Sequence, residues 1–286
     1  MNRSIVCGVD GTRGSRWAAR VAGELARELE RTLVLVYVAS DDPTFPYGDP
    51  RLRELQRREA VGTATTMLER AAAAAPEAPV RTRVAFGDAA DALRFTAVEE
   101  DAELLVVGSR GRGPLAGALL GSVSARLAAT APCPLLVVPS PDAAGRWLSR
   151  PENSRIVCGV DDSVPSVRAV RAAVGLASRL GLQLSLVHVD RDLERADAPH
   201  GSAPEDRAAL TVVGGEPAET LREHSADPDA SLLVVGSRGR TPWRAVLGTV
   251  SGRLAAHASV PVVVVPPTAD SDADDVAAAP VADRGV

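Results

Sequence analysis

The sequence LLVVGSRGR runs from Leu104 to Arg112 and recurs letter for letter from Leu232 to Arg240. The shorter stretch IVCGVD also occurs twice, from Ile5 to Asp10 and from Ile156 to Asp161. Each stretch is an apolar run that ends at Gly or Asp, which is typical of a buried strand that leads into a turn. Identical repeats in the same order indicate that one domain occurs twice in this chain.

A third repeat locates the differences between the two copies. LGSVSARLAA begins at Leu120, and LGTVSGRLAA begins at Leu247. The offset between the copies is 151 residues at IVCGVD, 128 at LLVVGSRGR and 127 at this third repeat. The second copy therefore lacks 23 residues before its glycine loop and one further residue within it.

Each copy alternates between apolar, strand-like runs and segments with apolar residues at helical spacing. This alternation predicts two tandem, doubly wound (Rossmann-like) α/β domains with parallel sheets. The polar segment 190–207 indicates that the second domain lacks most of its second helix. In the first copy we predict strands at 3–10, 32–38, 80–87, 103–108 and 134–139, and helices at 15–29, 51–75, 89–100 and 121–131. In the second copy we predict strands at 155–161, 183–189, 209–214, 231–236 and 260–266.

These elements give the domain organisation. We assign residues 1–139 to the first domain, 140–153 to a linker and 154–267 to the second, shortened domain. Residues 268–286 contain five Asp and one Arg and are predicted to form a disordered acidic tail. The fifth strand of each copy, near 135–138 and 262–265, is an apolar sheet edge. Because exposed edges invite pairing, we expect these two strands to join the copies as an intrachain pseudo-dimer.

The composition excludes several classes of protein. The chain has 286 residues, 45% of them hydrophobic but only 3% aromatic, so aliphatic side chains must build the cores. It carries a net charge of −5 without a basic block, so we expect neither nucleic acid nor a membrane as its partner. All 32 basic residues are Arg. A Walker A loop, a kinase phosphate-binding lysine and a pyridoxal Schiff base each require Lys and are therefore excluded.

The cysteines indicate a reducing compartment. Cys7 and Cys158 lie within apolar strand-like runs, and Cys133 lies between two prolines, so buried thiols are expected at all three. The apolar run near the N-terminus is too short for a signal peptide, and no segment approaches the roughly 18 apolar residues of a membrane span. We therefore expect a soluble, cytoplasmic protein.

Glycines follow the fourth predicted strand. Gly108-Ser109-Arg110-Gly111 comes directly after it, and Gly121-Ser122 opens a helix after nine intervening residues. Glycines allow close backbone approach, and a helix N-terminus offers free amides with partial positive charge, so this spacing favours an anion site. The hydroxyls of Ser122 and Ser124 are further candidate donors to the anion. An ordinary turn followed by a helix cap is the alternative interpretation. The recurrence of the loop at Gly236 and Gly248 favours the anion site.

Asp10 ends the first predicted strand. In doubly wound sheets, ligands bind beyond the carboxyl ends of strands at the point where the strand order reverses. If the first and fourth strands are neighbours, Asp10 faces the glycine loop across one crevice. Its carboxylate could accept a hydrogen bond from an adenine amino group or a ribose hydroxyl. The competing interpretation is that Asp10 caps its own turn together with Thr12.

At these residues the chain resembles a tandem universal stress protein of the ATP-binding type. The resemblance covers nearly all of 3–139 and 154–266 and rests on GVDG, VVGSRGRG, LLGSVS and PCPLLVVP in that order. It implies a five-stranded parallel sheet of order 3-2-1-4-5 in each copy. It also implies that the ligand is ATP, alone or with Mg²⁺, and that the role is regulatory rather than metabolic.

The resemblance assigns nucleotide-binding positions in both copies, with no catalytic or metal-binding residue. In the first copy they are Gly8, Asp10, Val38, Gly87, Gly108, Arg110, Gly111, Arg112, Gly121, Ser122, Val123 and Ser124. In the second copy they are Gly159, Asp161, Val189, Gly215, Gly236, Gly239, Gly248, Thr249, Val250 and Ser251. Only eight residues separate Gly239 from Gly248, so we expect weaker binding in the second copy.

Three functions fit the sequence. The first is an ATP-dependent regulatory module of the stress response that acts on a protein partner, as a single chain or a homodimer. The second is a slow ATPase or nucleotidyl-transferring enzyme, which the absence of Lys and of an evident water-positioning base disfavours. The third is an interaction scaffold without nucleotide.

Overall fold

A computed structural model describes residues 3–39, 50–75, 78–111, 120–191, 193, 208–237 and 248–267. The strands of the first copy are β1 (Ser4–Val9), β2 (Thr32–Ala39), β3 (Val80–Phe86), β4 (Ala102–Gly108) and β5 (Leu135–Val138). Those of the second are β6 (Arg155–Val160), β7 (Gln183–Asp190), β8 (Ala208–Gly214), β9 (Ala230–Gly236) and β10 (Val262–Val265). The helices are α1 (Arg13–Glu28), α2 (Pro50–Ala72), α3 (Ala89–Glu99), α4 (Ser122–Thr130), α5 (Pro141–Leu148), α6 (Val164–Leu180), α7 (Pro217–His224) and α8 (Thr249–His257).

The ten strands form one continuous sheet. Their order is β3-β2-β1-β4-β5-β10-β9-β6-β7-β8, so each half has the predicted order 3-2-1-4-5. Pairing is parallel throughout each half. The central strands are buried on both faces because helices cover them on both sides, which explains their continuous runs of Val and Leu. The α/β class and the tandem arrangement are confirmed.

The two halves meet where β5 and β10 pair antiparallel. Leu136 lies opposite Val263 at the centre of this junction, and their side chains are 0% and 1% exposed. Each short apolar edge therefore finds its partner in the other copy, which leaves neither edge open. The predicted intrachain pairing of the fifth strands is confirmed.

Glu103, at the start of β4, also connects the halves. Its carboxylate accepts hydrogen bonds from Arg31 of the first copy and from Arg179 on α6 of the second, at 3.0–3.1 Å. Only 8% of the Glu103 side chain is exposed, so solvent screens this pair of contacts less than it screens a surface ion pair.

We expect Glu103→Gln to lower the free energy of unfolding by about 1–3 kcal/mol, because two arginines lose a shielded counter-charge. Urea denaturation provides the measurement. Glu54→Gln is the matched control, since Glu54 pairs with Arg58 on α2 with side chains 55% and 74% exposed, and its loss should cost less than about 0.5 kcal/mol. Equal effects of the two substitutions would contradict the coupling role of Glu103.

Helix α5 lies within the segment that we interpret as the linker, and the sequence analysis did not predict it. Ser140 caps its N-terminus by accepting a hydrogen bond from the amide of Ala143. Trp147 is fully buried in a cluster that contains residues from both copies. Arg146 donates hydrogen bonds to backbone carbonyls of the second copy, including those of Ala226 and Ala230. Helix α5 therefore connects the two halves through buried packing and hydrogen bonds.

The second copy exposes apolar surface at its outer strand. In the first copy, α2 packs over β2 and β3 and buries its own Ala64 and Leu68. In the second copy, Leu210 and Val212 of β8 are 64% and 54% exposed. The predicted loss of its second helix, between β7 and β8, lies mostly outside the described residues, as does the predicted acidic tail at 268–286.

All three cysteines are buried and free, as predicted. Burial raises the pKa of the thiols of Cys133 and Cys158 to about 12, and it raises the pKa of Cys7 still further. A thiol that remains protonated is a poor nucleophile, so these residues serve packing. Within the described ranges, no helix is both long and apolar enough to cross a membrane.

Candidate functional site

A cavity of about 320 Å³ opens at the carboxyl ends of β1, β2 and β4 in the first copy. This is where the strand order reverses, because β1 leads to β2 on one side and adjoins β4 on the other. Ten predicted site residues line it: Gly8, Asp10, Val38, Gly108, Arg110, Gly111, Gly121, Ser122, Val123 and Ser124. The fold thus brings together residues that lie more than 100 positions apart.

Two predicted residues of the first copy are not among those that line the cavity. Gly87 directly follows β3 with a φ of +102°, a conformation that glycine adopts without strain, and its amide donates to the carbonyl of Ala39. The positive φ of this turn explains why a glycine occupies position 87. Arg112 lies outside the described residues.

Asp10 is held by the turn between β1 and α1. Its Oδ1 accepts hydrogen bonds from the backbone N–H of Thr12 at 2.9 Å and from the Thr12 hydroxyl at 2.6 Å. Thr12 in turn caps α1 by accepting from the amide of Ser15. The turn-capping role considered for Asp10 is therefore present, and it fixes the carboxylate at the wall of the cavity.

The glycines of the loop allow close approach of backbone segments. A Cβ on Gly108 would lie 3.2 Å from the carbonyl carbon of Gly14, and one on Gly111 would lie 3.0 Å from Oδ2 of Asp10. A Cβ on Gly8 would lie 2.9 Å from a methyl group of Leu93 on α3. Larger residues at these positions would push apart the strands, helices and loop that form the walls.

Helix α4 begins at the cavity without a side-chain cap. Its N-cap is Gly121, whose own amide donates to the carbonyl of Ser109 at 2.8 Å. The amides of Ser122 and Val123 belong to the first turn, where a helix supplies no internal acceptor. The helices α1, α3 and α5 are capped instead by the side chains of Thr12, Asp88 and Ser140.

Ser124 differs from expectation in its hydrogen bonding. Its hydroxyl donates to the carbonyl of Gly108 at 2.8 Å, and the residue is 4% exposed. A hydroxyl carries one proton, so this donor is already used. Ser124 therefore ties α4 to the end of β4, although the sequence suggested a donor to phosphate.

The other half of the cavity is apolar, and most of its residues were not predicted. Val36 and Tyr37 come from β2, Leu93 from α3 and Val107 from β4. These side chains are ordinary core residues in the sequence, and only the packing of α3 against the sheet gives them a second role. The complete set missed by the sequence analysis is Val9, Ser15, Val36, Tyr37, Ala89, Leu93, Val107 and Leu120.

An ion-pair cluster links the two helices that flank the cavity. Arg126 on α4 donates to Asp88 at the N-terminus of α3 at 2.8 Å, and it also contacts Asp91. The backbone N–H of Asp91, together with Arg126, holds the pKa of Asp88 below its usual range. The pairs are largely exposed, so they orient α3 and α4 more than they stabilise them.

The second copy repeats the main hydrogen bonds. Asp161 accepts from the amide of Ser163, and the hydroxyl of Ser251 donates to the carbonyl of Gly236 at 2.6 Å. Gly248 begins α8, again without a side-chain cap. The remaining predicted residues occupy equivalent elements: Gly159 on β6, Val189 on β7, Gly215 after β8, and Thr249 and Val250 on α8. Gly239 lies outside the described residues.

Comparison with known proteins identifies the family. The model of the universal stress protein family matches residues 1–139, 152–211 and 202–266. Universal stress protein Rv2005c of Mycobacterium tuberculosis is 32% identical over 289 residues, covering 91% of this chain and 96% of that protein. This chain belongs to the universal stress protein family. Rv2623, a universal stress protein of the same organism, is 29% identical and covers 91% of this chain, with 95% of its own length aligned.

A solved universal stress protein has the same fold over nearly the whole chain. The crystal structure of a universal stress protein from Archaeoglobus fulgidus DSM 4304 matches with a TM-score of 0.66 at 18% identity. The match covers 92% of this chain and 98% of that one. The tandem architecture is therefore shared with that family member.

Proposed function

We propose that the cavity of the first copy binds ATP and that the protein is a nucleotide-dependent regulatory module of the stress response. The observation that carries this proposal is the composition of one cavity. An apolar half adjoins a glycine loop and the uncapped start of α4, and these match the two ends of a nucleotide. The family membership of the chain supports the stress-response role.

The apolar half suits an adenine ring. Val36, Val38, Leu93 and Val107 line this half with aliphatic side chains. A purine buried against them would lose contact with water, which favours binding. Asp10 lies beside this region, where we propose that its carboxylate accepts a hydrogen bond from the adenosine portion.

The glycine loop and α4 suit the phosphates. The first-turn amides of Ser122 and Val123 carry the partial positive charge of a helix N-terminus. Arg110 lines the cavity, is exposed, and has no hydrogen bond or ion pair within the described part of the chain. Its guanidinium is thus available to a phosphate. We propose that any Mg²⁺ enters with ATP, since Mg²⁺ is commonly held through substrate phosphates and water.

The direct test is to denature the purified protein and to identify any nucleotide released by chromatography and mass spectrometry. We expect ATP, with calorimetric rebinding of ATP to the refolded or nucleotide-free chain. Absence of binding by adenine nucleotides would contradict the proposal and favour a scaffold. The rate of ATP hydrolysis with excess ATP and Mg²⁺ distinguishes an enzyme from a regulatory binder. A regulatory binder should have a turnover rate far below the ~1 s⁻¹ that is common for enzymes.

We predict two unequal sites per chain, with the second weaker. In the second copy Pro165 replaces Gly14, so a proline ring lies beside Gly236, whereas the first copy has no side chain at the corresponding position. The loop is also one residue shorter. Displacing backbone donors by about 1 Å is enough to weaken anion binding. Calorimetric titration should fit up to two nucleotides with different constants, and two identical tight sites would show that the second loop is intact.

We further propose a cytoplasmic location, because three buried free thiols suit a reducing compartment. We also propose that the protein acts on a regulatory protein partner and that two chains associate as a homodimer. Cross-linking in cells with and without nucleotide-depleting stress tests for both.

A further inference from the structure

The first turn of α1 lies against the glycine loop. A Cβ on Gly14 would lie 3.5 Å from the backbone oxygen of Arg110, and one on Gly108 would lie 3.4 Å from the amide nitrogen of Ser15. Ser15 itself lines the cavity. Position 14 of this turn therefore lies within a few ångströms of the loop that we propose holds phosphates. Arg13 is its neighbour along the chain and lies outside the set of residues that line the cavity.

Arg13 is the first residue of α1, and its guanidinium is not committed elsewhere. It is exposed, and it has no hydrogen bond, ion pair or ring contact within the described residues. The other arginines of this helix face are engaged. Arg16 donates to the carbonyl of Gly11 at 3.1 Å, and Arg20 lies over the ring of Trp17 at 4.5 Å.

The second copy offers an internal comparison. The repeat IVCGVD aligns Arg13 with Val164, which is the first residue of α6. Val164 is 70% exposed, so neither copy requires a particular side chain here for packing. Asp10 and Thr12 correspond to Asp161 and Ser163 with the same hydrogen bonds. The second turn therefore lacks the cation, and it also has Asp162 and Pro165 where the first has Gly11 and Gly14.

We infer that Arg13 is a specificity-determining residue that favours nucleotides with two or three phosphates in the first site. The inference rests on the proposed nucleotide binding. Each phosphate beyond the first adds negative charge, and a long cationic side chain beside the loop lowers the energy of that charge. The first site therefore discriminates ATP from AMP more strongly than the second, where Val164 supplies no charge.

The test compares ATP and AMP binding to the full chain by calorimetry at low ionic strength. We expect Arg13→Gln to weaken the tighter ATP step about fivefold while AMP affinity changes less than twofold. The loss should shrink as salt is raised, because screening weakens an exposed cation. Arg20→Gln is the matched control, since it removes the same charge from the same helix, and it should leave both affinities within twofold of wild type.

The reciprocal variant adds a cation to the second copy. Val164→Arg should strengthen the weaker ATP step severalfold without strengthening AMP binding. If Arg13→Gln binds ATP as wild type does, or loses ATP and AMP equally, Arg13 does not respond to phosphate number and the inference is wrong. In both cases, ATP binding by the wild-type chain would still support the proposed function. If the wild-type chain binds neither nucleotide, the proposed function itself fails.

Discussion

Trp147→Ala is expected to lower the free energy of unfolding by about 3–5 kcal/mol, the usual cost of truncating a fully buried aromatic side chain. Trp147 has 0% exposure and lies in a cluster with residues of both copies. Helix α5 contacts α1 of the first copy and β9 of the second. The cavity left by the ring would therefore loosen the junction, and urea denaturation followed by circular dichroism would measure the loss.

Trp147→Phe is the control for this prediction. Nε1 of Trp147 is buried without a hydrogen-bond partner in the described structure, so phenylalanine removes volume but no hydrogen bond. We expect it to cost less than half as much as alanine. If both substitutions cost the same, or if alanine costs less than about 1 kcal/mol, then α5 does not hold the halves together.

The helix that carries Trp147 shows what a sequence pattern does not encode. Ser140 followed by Pro141 is a recognisable helix start, but α5 has only eight residues and no long apolar period. Its burial depends on how the two copies face each other across β5 and β10. Nothing local to residues 140–153 specifies that arrangement, so a linker was the natural interpretation. The central strands, by contrast, were predictable because each contains a local apolar run, such as LLVV at 104–107 in β4 and at 232–235 in β9.

The residues of the candidate site also divide into those that local sequence predicts and those that only tertiary packing reveals. Gly108, Gly111 and Gly121 were predictable because a glycine loop before a helix has a local chemical meaning. Tyr37 and Leu93 were not, since they reach the cavity only through the packing of β2 and α3. The hydroxyl of Ser124 was predicted as a donor to phosphate, but a sequence does not show which acceptor a hydroxyl reaches, and this one reaches Gly108.

Gly121→Val is expected to weaken ATP binding to the first site at least tenfold, or about 1.4 kcal/mol. A Cβ at this position would lie 3.2 Å from the carbonyl oxygen of Ser109 and 3.4 Å from Cα of Arg110. The branched side chain must therefore push the glycine loop away from α4 or fill the space between them. The first outcome separates Arg110 from the amides of Ser122 and Val123, and the second occupies the space where we propose that these groups bind the phosphates.

The matched control is Gly145→Val on α5, where an added Cβ meets no atom within 4 Å. It makes the same chemical change away from the cavity, so ATP affinity should remain within twofold of wild type. Circular dichroism should show both variants folded, because Gly121 lies outside the core strands. A folded Gly121→Val protein that binds ATP as tightly as wild type would place the phosphates elsewhere. If AMP binding survives in Gly121→Val while ATP binding is lost, the adenosine half of the cavity is intact, and the effect lies where the glycine loop meets α4.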